Sequence, residues 1–226
     1  LVKEIEGKFT ASFFCSTDRN GNQIASFYTG AMAHAAELSI GRAGGCDLAM
    51  ISPNDPAAMV QYAEECRAIG VPYIFDPSQQ VARMGGDELR RGLSGAHIVI
   101  SNDYEFKIIG EKTGLDEQAL LELADVVVVT KGEKGASVML RESVIDIPAV
   151  PPARIADPTG VGDAFRGGFM KGLASGAGYD VCGRMGSVAA AYALEHVGGS
   201  SHHYTWPDFA ARYEANFGPL RLPART

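Results

Sequence analysis

The chain has 226 residues, of which 46% are hydrophobic and 21% charged, the balance of a folded globular protein rather than a disordered or fibrous one. Twenty Lys and Arg against 27 Asp and Glu leave a net charge of −7, so no basic surplus exists to cover a phosphate backbone, and nucleic acid is not an expected partner. The cysteines Cys15, Cys46, Cys66 and Cys182 form no CxxC pair, and no apolar run approaches the roughly 18 residues of a membrane span; a reduced, cytoplasmic protein without a membrane partner is expected.

The first thirty residues alternate as strands do. Ala11–Ser16 and Ile24–Tyr28 flank a turn at Asn20-Gly21-Asn22 and predict a hairpin. Short apolar runs followed by helical periodicity come next. Asp47–Ser52 precedes a helix over Pro56–Ile69, with Met59, Tyr62, Ala63, Cys66 and Ile69 on one face; Val71–Asp76 is a second strand. His97–Ser101 leads into a helix from Asp103 to Ile109, and a helix near Asp116–Leu123 leads into a strand over Asp125–Thr130. The run Val126–Val129 has no polar face, which suits a strand covered by helices on both sides. Gly135–Leu140 and Val144–Ile147 read as a hairpin, followed by helices over Gly162–Ala174, Asp180–His196 and Trp206–Phe217. The fold class is therefore α/β, with a doubly wound, mostly parallel sheet flanked by helices. The whole chain, 1–226, reads as one domain with the N-terminal hairpin at an edge.

Three segments carry the candidate chemistry. In Asp157-Pro158-Thr159-Gly160-Val161-Gly162-Asp163-Ala164-Phe165-Arg166-Gly167-Gly168, a glycine turn opens into a helix. Such a turn presents backbone N–H groups and the positive end of a helix dipole to an anion, and Asp163 adds an acceptor for a hydroxyl proton. An ordinary tight turn with a favourable first-turn acid explains the same residues. The segment contains neither GxxxxGK[ST] nor a complete GxGxxG. Asn102-Asp103-Tyr104-Glu105 stands where a strand ends and a helix begins, a place for ordering magnesium beside phosphates or for a plain capping box. Thr130-Lys131-Gly132-Glu133-Lys134-Gly135 lies at the next strand end, as a nucleotide-contacting turn or a simple β-turn. Arg166 is placed to meet a phosphate or to form a salt bridge. His202-His203 reads as a solvent-facing turn, and Cys66 and Cys182 as small core residues.

Taken together, the three segments resemble the ribokinase-like carbohydrate kinase family, which includes sugar and adenosine kinases. Asp157–Gly168 is similar to the family's DTxGAGDxxxG signature, with Pro158 and Val161 as departures; Asn102–Glu105 resembles its NxxE motif and Thr130–Gly135 its TxGxxG turn. Phe75-Asp76-Pro77 resembles a further element of the family, and the wording is closer to nucleoside kinases of the adenosine type than to ribokinase itself.

That resemblance implies an ATP-dependent phosphotransferase acting on a nucleoside or sugar hydroxyl. Asp163 would be the general base and Gly160, Val161 and Gly162 the anion hole. Asn102 and Glu105 would position magnesium through water, and Thr130, Gly132, Gly135 and Thr159 would hold the nucleotide. It also implies a potassium ion among oxygens around Asp157, Thr159, Ala193 and Gly198, and residues 10–30 as a lid hairpin through which two copies pair; Phe27, Tyr28 and Met32 would line that lid. Family members begin with a further strand and a GGxxxN motif that do not precede Leu1, so the resemblance also implies a shortened acceptor half. A nucleotide-binding chain of this family without turnover is the alternative reading.

Overall fold

The computed structural model of the chain describes residues 2–17 and 23–223. The Asn20-Gly21-Asn22 turn lies outside the described residues. The strands flanking it, β1 (Ser12–Thr17) and β2 (Gln23–Tyr28), pair antiparallel with Phe13 opposite Phe27. Phe13, Phe14, Ile24, Phe27 and Tyr28 are exposed, so the ribbon carries apolar groups on both faces.

The remaining strands are β3 (Ala49–Ile51), β4 (Tyr73–Phe75), β5 (Ala96–Asn102), β6 (Ala124–Thr130), β7 (Ala136–Leu140) and β8 (Ser143–Ile147), and they belong to one six-stranded sheet in that order. The helices are α1 (Pro56–Ile69), α2 (Gly86–Leu93), α3 (Asp103–Thr113), α4 (Glu117–Leu123), α5 (Val161–Ala174), α6 (Tyr179–Leu194) and α7 (Trp206–Phe217). This is the expected doubly wound α/β sheet. The residues cluster into two compact units, Leu1–Ile100 with Lys107–Asp125, and Ser101–Phe106 with Val126–Thr226.

In the first unit β3, β4 and β5 run parallel, with Met50 opposite Ile74 and Ile74 opposite Ile98. Helix α1 forms where the sequence supplies both ends: Asp55 accepts hydrogen bonds from the N–H groups of Ala57 and Ala58, Pro56 takes the first position, and Gly70 stops the helix in the left-handed region at φ 70°. Its buried face is Ala58, Met59, Val60, Ala63 and Cys66, whereas Ile69, expected on that face, is 51% exposed. Helix α2 was not expected. Its sequence is dominated by charge, and only Leu89 and Leu93 keep a core period; both are fully buried. Helix α3 continues four residues beyond the expected end, through Gly110 to Thr113.

The second unit holds the antiparallel strands β6, β7 and β8, with Val128 opposite Val138 and Ser137 opposite Asp146. Val126 to Val129 are all buried, as their unbroken apolar character requires. Helices α5 and α6 approach closely because glycines leave room. A Cβ on Gly168 would lie 2.5 Å from the Met185 carbonyl oxygen, and one on Gly172 would lie 2.8 Å from Cys182. Behind them Val150, Met185, Val188, Ala189, Ala191, Phe209 and Tyr213 form a core that seats α7. Helix α7 begins with Thr205, which accepts from the Asp208 N–H while the Asp208 carboxylate accepts from the Thr205 N–H. Arg212 then donates two hydrogen bonds to Glu195, at 3.0 and 2.7 Å, and lies 4.5 Å from the Tyr192 ring centre.

Among the described residues no helix is long and apolar enough to cross a membrane. Cys66 and Cys182 are buried as expected. The His202-His203 expectation needs a correction: His203 is exposed, but His202 is only partly so, because its ring stacks against Tyr204 at 6.1 Å.

Candidate active site

Every residue of the three candidate segments falls in the second unit. The chain enters the glycine turn through Asp157, whose carboxylate accepts hydrogen bonds from the Thr159 N–H at 2.8 Å and the Gly198 N–H at 2.9 Å. The Thr159 side chain, then the Gly198 and Thr159 backbone groups, hold this carboxyl below its usual range. Gly160 follows in the left-handed region at φ 77°, and a Cβ there would stand 2.6 Å from the Cα and carbonyl oxygen of Gly199. Only glycine satisfies both the dihedral angle and the clearance.

Helix α5 starts at the next residue. The Val161 N–H donates to the Pro158 carbonyl at 3.4 Å, and the Gly160 carbonyl accepts from Ala164 at 2.9 Å. Gly162 and Asp163 occupy the first turn, whose N–H groups have no intrahelical acceptor and carry the positive end of the helix dipole. The turn can therefore receive an anion. Asp163 projects beside it with its side chain 82% exposed, ion-paired at 3.3 Å with Arg166, whose side chain is only 14% exposed. Of the two expectations for Arg166, the salt bridge is the one observed.

Asn102 and Glu105 form a reciprocal cap at the start of α3. The Asn102 N–H donates to Glu105 Oε2 at 2.9 Å, and the Glu105 N–H donates to Asn102 Oδ1 at 2.8 Å. Glu105 is 7% exposed, so the carboxylate is fixed by the fold as well as placed at the strand end. The Thr130 hydroxyl reaches the Ser101 carbonyl at 3.5 Å, which brings the ends of β5 and β6 together.

After Thr130 the chain makes a one-turn 3₁₀ helix over Gly132–Lys134, closed by a 2.7 Å hydrogen bond from the Lys131 N–H to the Gly135 carbonyl. Gly135 has φ 84°, and a Cβ on it would lie 1.9 Å from the Ile147 carbonyl oxygen, so β8 seals this turn from below. One feature here escaped the sequence reasoning. Lys131 Nζ donates to Ser137 Oγ at 2.5 Å, and Ser137 Oγ donates to Asp146 Oδ1 at 2.6 Å, a chain that spans the hairpin and immobilises the lysine. The strand register, which places Ser137 opposite Asp146, is what assembles it, and register is invisible in the residue order.

Among the described residues no group of three His, Cys, Asp or Glu side chains converges to hold a metal directly. Oxygen donors alone, Glu105 and Asn102, stand at the end of β5, which fits magnesium held through water and phosphates rather than in a protein cage. Both Asp157 oxygens accept backbone hydrogen bonds, so this carboxylate acts here as a clasp.

The first unit contains a cavity of about 330 Å³, lined by Lys3, Ile5, Met32, His34, Leu38 and Asn54 among others. At its rim His34 Nδ1 lies 2.7 Å from Glu37, which also pairs with Lys3. Of the three candidate lid residues, Met32 lines this cavity, whereas Phe27 and Tyr28 are exposed on the hairpin.

Comparison with known proteins agrees with the motifs. Residues 1–205 match the pfkB family carbohydrate kinase pattern. The chain is 30% identical over 92% of its length to a nucleoside kinase of Methanothermobacter thermautotrophicus and 28% identical over 92% to one of Methanocaldococcus jannaschii, spanning 68% of each. Among solved structures it is similar to the nucleoside kinase of Burkholderia thailandensis in complex with inosine, at a TM-score of 0.92 and 36% identity over 96% of this chain and 71% of that one. It is also similar to the M. jannaschii nucleoside kinase, at a TM-score of 0.87 and 28% identity over 93% and 70%. With its glycine turn, its two accompanying motifs and this match over nearly all its length, the chain belongs to the pfkB family of carbohydrate kinases.

Proposed function

We propose that the chain transfers the γ-phosphoryl group of ATP to a hydroxyl of a nucleoside, with Asp163 as the general base. The observation that carries this reading is a solvent-facing carboxylate in the first turn of a helix, directly behind a left-handed glycine turn able to receive an anion. The acceptor hydroxyl gives its proton to Asp163 as its oxygen forms a bond to the γ-phosphorus. The bond from that phosphorus to the bridging oxygen breaks, and its electron pair leaves with ADP. Backbone N–H groups of Gly160, Val161 and Gly162 stabilise the charge on the transferred group, the dominant contribution in such reactions. Thr130, Gly132, Gly135 and Thr159 hold the nucleotide. Magnesium supplies charge neutralisation on the phosphates when bound, and Asn102 and Glu105 would hold it through water. A potassium ion near Asp157, Thr159, Ala193 and Gly198 belongs to the same proposal.

A nucleoside is favoured over a hexose because two relatives matched over 92% of the chain are nucleoside kinases, and the similar nucleoside kinase of Burkholderia thailandensis has been solved in complex with ADP-inosine. The cavity lined by Met32 and Asn54 is of the size at which small-molecule pockets begin, roughly 300 Å³. Pairing of two copies through the β1–β2 hairpin is part of the proposal, supported by its exposed apolar faces; sedimentation of wild type against Phe14→Lys tests it.

The deciding experiment measures ADP release from ATP and magnesium with adenosine, inosine, cytidine or ribose as acceptor. Turnover with one acceptor, reduced about a hundredfold or more in Asp163→Asn, is the expected result. ATP binding without turnover on any acceptor favours the alternative, a nucleotide-binding chain of the same family. Turnover unchanged in Asp163→Asn overturns the assigned base.

A further inference from the structure

Arg166 is the sixth residue of α5, and its side chain folds back toward the start of the helix, as helical side chains do. Its guanidinium lies against the glycine turn. A Cβ on Gly162 would stand 2.9 Å from Nη1, 3.7 Å from Cζ and 4.0 Å from Nη2, so the absence of a side chain at 162 is what admits the cation. Nη1 is 3.3 Å from Asp163 Oδ1. The burial of the two partners is unequal, 14% exposed for Arg166 and 82% for Asp163, so the guanidinium is the buried member and the carboxylate the solvent-facing one.

The arrangement has an electrostatic asymmetry. A cation at the amino end of a helix faces the positive pole of the dipole and gains nothing from it. The 3.3 Å contact to Asp163, an exposed carboxylate screened by water, contributes little against this. An anion received by the turn would offset it far better, and a planar guanidinium matches the geometry of phosphate oxygens.

Resting on the kinase reading, we propose that Arg166 is a further catalytic residue, contacting the transferred phosphoryl group together with the turn. When ATP is bound, Arg166 exchanges Asp163 for a phosphate oxygen. Asp163 thereby leaves its ion pair when it must accept the acceptor's proton. The substrate that needs the base is the one that releases it.

The test combines calorimetry of ATP and ADP binding in the presence of magnesium with steady-state kinetics, on the full chain. Wild type is compared with Arg166→Gln, Arg166→Lys, Asp163→Asn and the double variant Asp163→Asn/Arg166→Gln. The expected result is about a tenfold or greater loss of ATP affinity in Arg166→Gln, with less effect on ADP and an unchanged melting temperature. Arg166→Lys, which keeps the charge but not the fork, should recover part of that loss. The ATP deficit must persist when Asp163 is already Asn, because a direct phosphate contact does not need the carboxylate. Unaltered ATP affinity in Arg166→Gln overturns the proposal while leaving the kinase reading intact. So does a deficit that vanishes in the Asp163→Asn background, since Arg166 would then only position Asp163. Failure of wild type to bind ATP at all overturns both.

Discussion

Asp157 and Gly198 are 41 residues apart in sequence, and a 2.9 Å hydrogen bond from the Gly198 N–H to the Asp157 carboxylate joins them. The entrance to the glycine turn is thereby tied to the segment that leaves α6. Replacing Asp157 with Ala removes this bond and the one from Thr159 while leaving the helix itself intact. The expected outcome is a fall in kcat of about tenfold or more with a native circular dichroism spectrum, since small displacements of an anion-binding turn are costly in rate. Asp157→Asn, which keeps one acceptor oxygen, should fall between.

The Gly160–Gly199 contact predicts an asymmetric result. A Cβ on Gly160 would lie 2.6 Å from the Gly199 backbone, at a φ of 77°, whereas a Cβ on Gly199 would meet nothing nearer than 3.6 Å. Gly160→Ala should therefore destabilise the chain by about 1–3 kcal/mol and abolish turnover, while Gly199→Ala should be nearly silent in both. Thermal melting and ADP release on the two variants check this directly.

The Glu195–Arg212 pair sets a pH dependence. Hydrogen bonds from Arg212 hold the Glu195 carboxyl below its usual value of 4.5, against burial, which pushes it up, and with help from the Ala153 N–H. A carboxyl lowered in the folded state contributes stability that is fully present above its unfolded value and is lost as pH falls through the folded one. Arg212→Met should thus melt well below wild type at pH 7, and the gap should narrow as pH falls below about 4.5. A gap constant across pH 3 to 7 would show that Arg212 acts through its packing on Tyr192 and its hydrogen bond to the Pro151 carbonyl rather than through Glu195.

Burial pushes the Cys66 thiol up to about 11 and the Cys182 thiol up to about 12, while Cys15 and Cys46 are exposed. An aromatic disulfide reagent at pH 8 should modify Cys15 and Cys46 in the native protein, and Cys66 and Cys182 only after unfolding. Mass spectrometry of the modified peptides identifies them.

The helices whose ends carry their own chemistry were legible in the sequence to the residue. Pro56–Ile69, between Asp55 and Gly70, and Trp206–Phe217, between Thr205 and Gly218, are the clearest cases. Helix α2 was illegible because its capping residue is Gly85, with no side-chain oxygen, and its surface is almost all charge. Ile69 was misplaced for a different reason: periodicity gives the face of a helix and says nothing of how far along it the core extends, and Ile69 is the last residue of α1. The candidate site was readable as segments, since glycine turns and caps are local. Contacts between distant parts of the chain were not: the Asp157–Gly198 bond depends on where the segment after α6 returns, and the Lys131–Ser137–Asp146 chain on the register of β7 and β8.

The division of the chain carries a consequence for dissection. Residues 101–106 belong to the second unit although the polypeptide on both sides of them, up to 100 and from 107 to 125, belongs to the first. A fragment cut at residue 126 would keep the glycine turn and Asp163 but leave Asn102 and Glu105 behind. No single peptide-bond cleavage separates the two units with their motifs whole. Recombination that exchanges one half for another must cross the chain at three places rather than one.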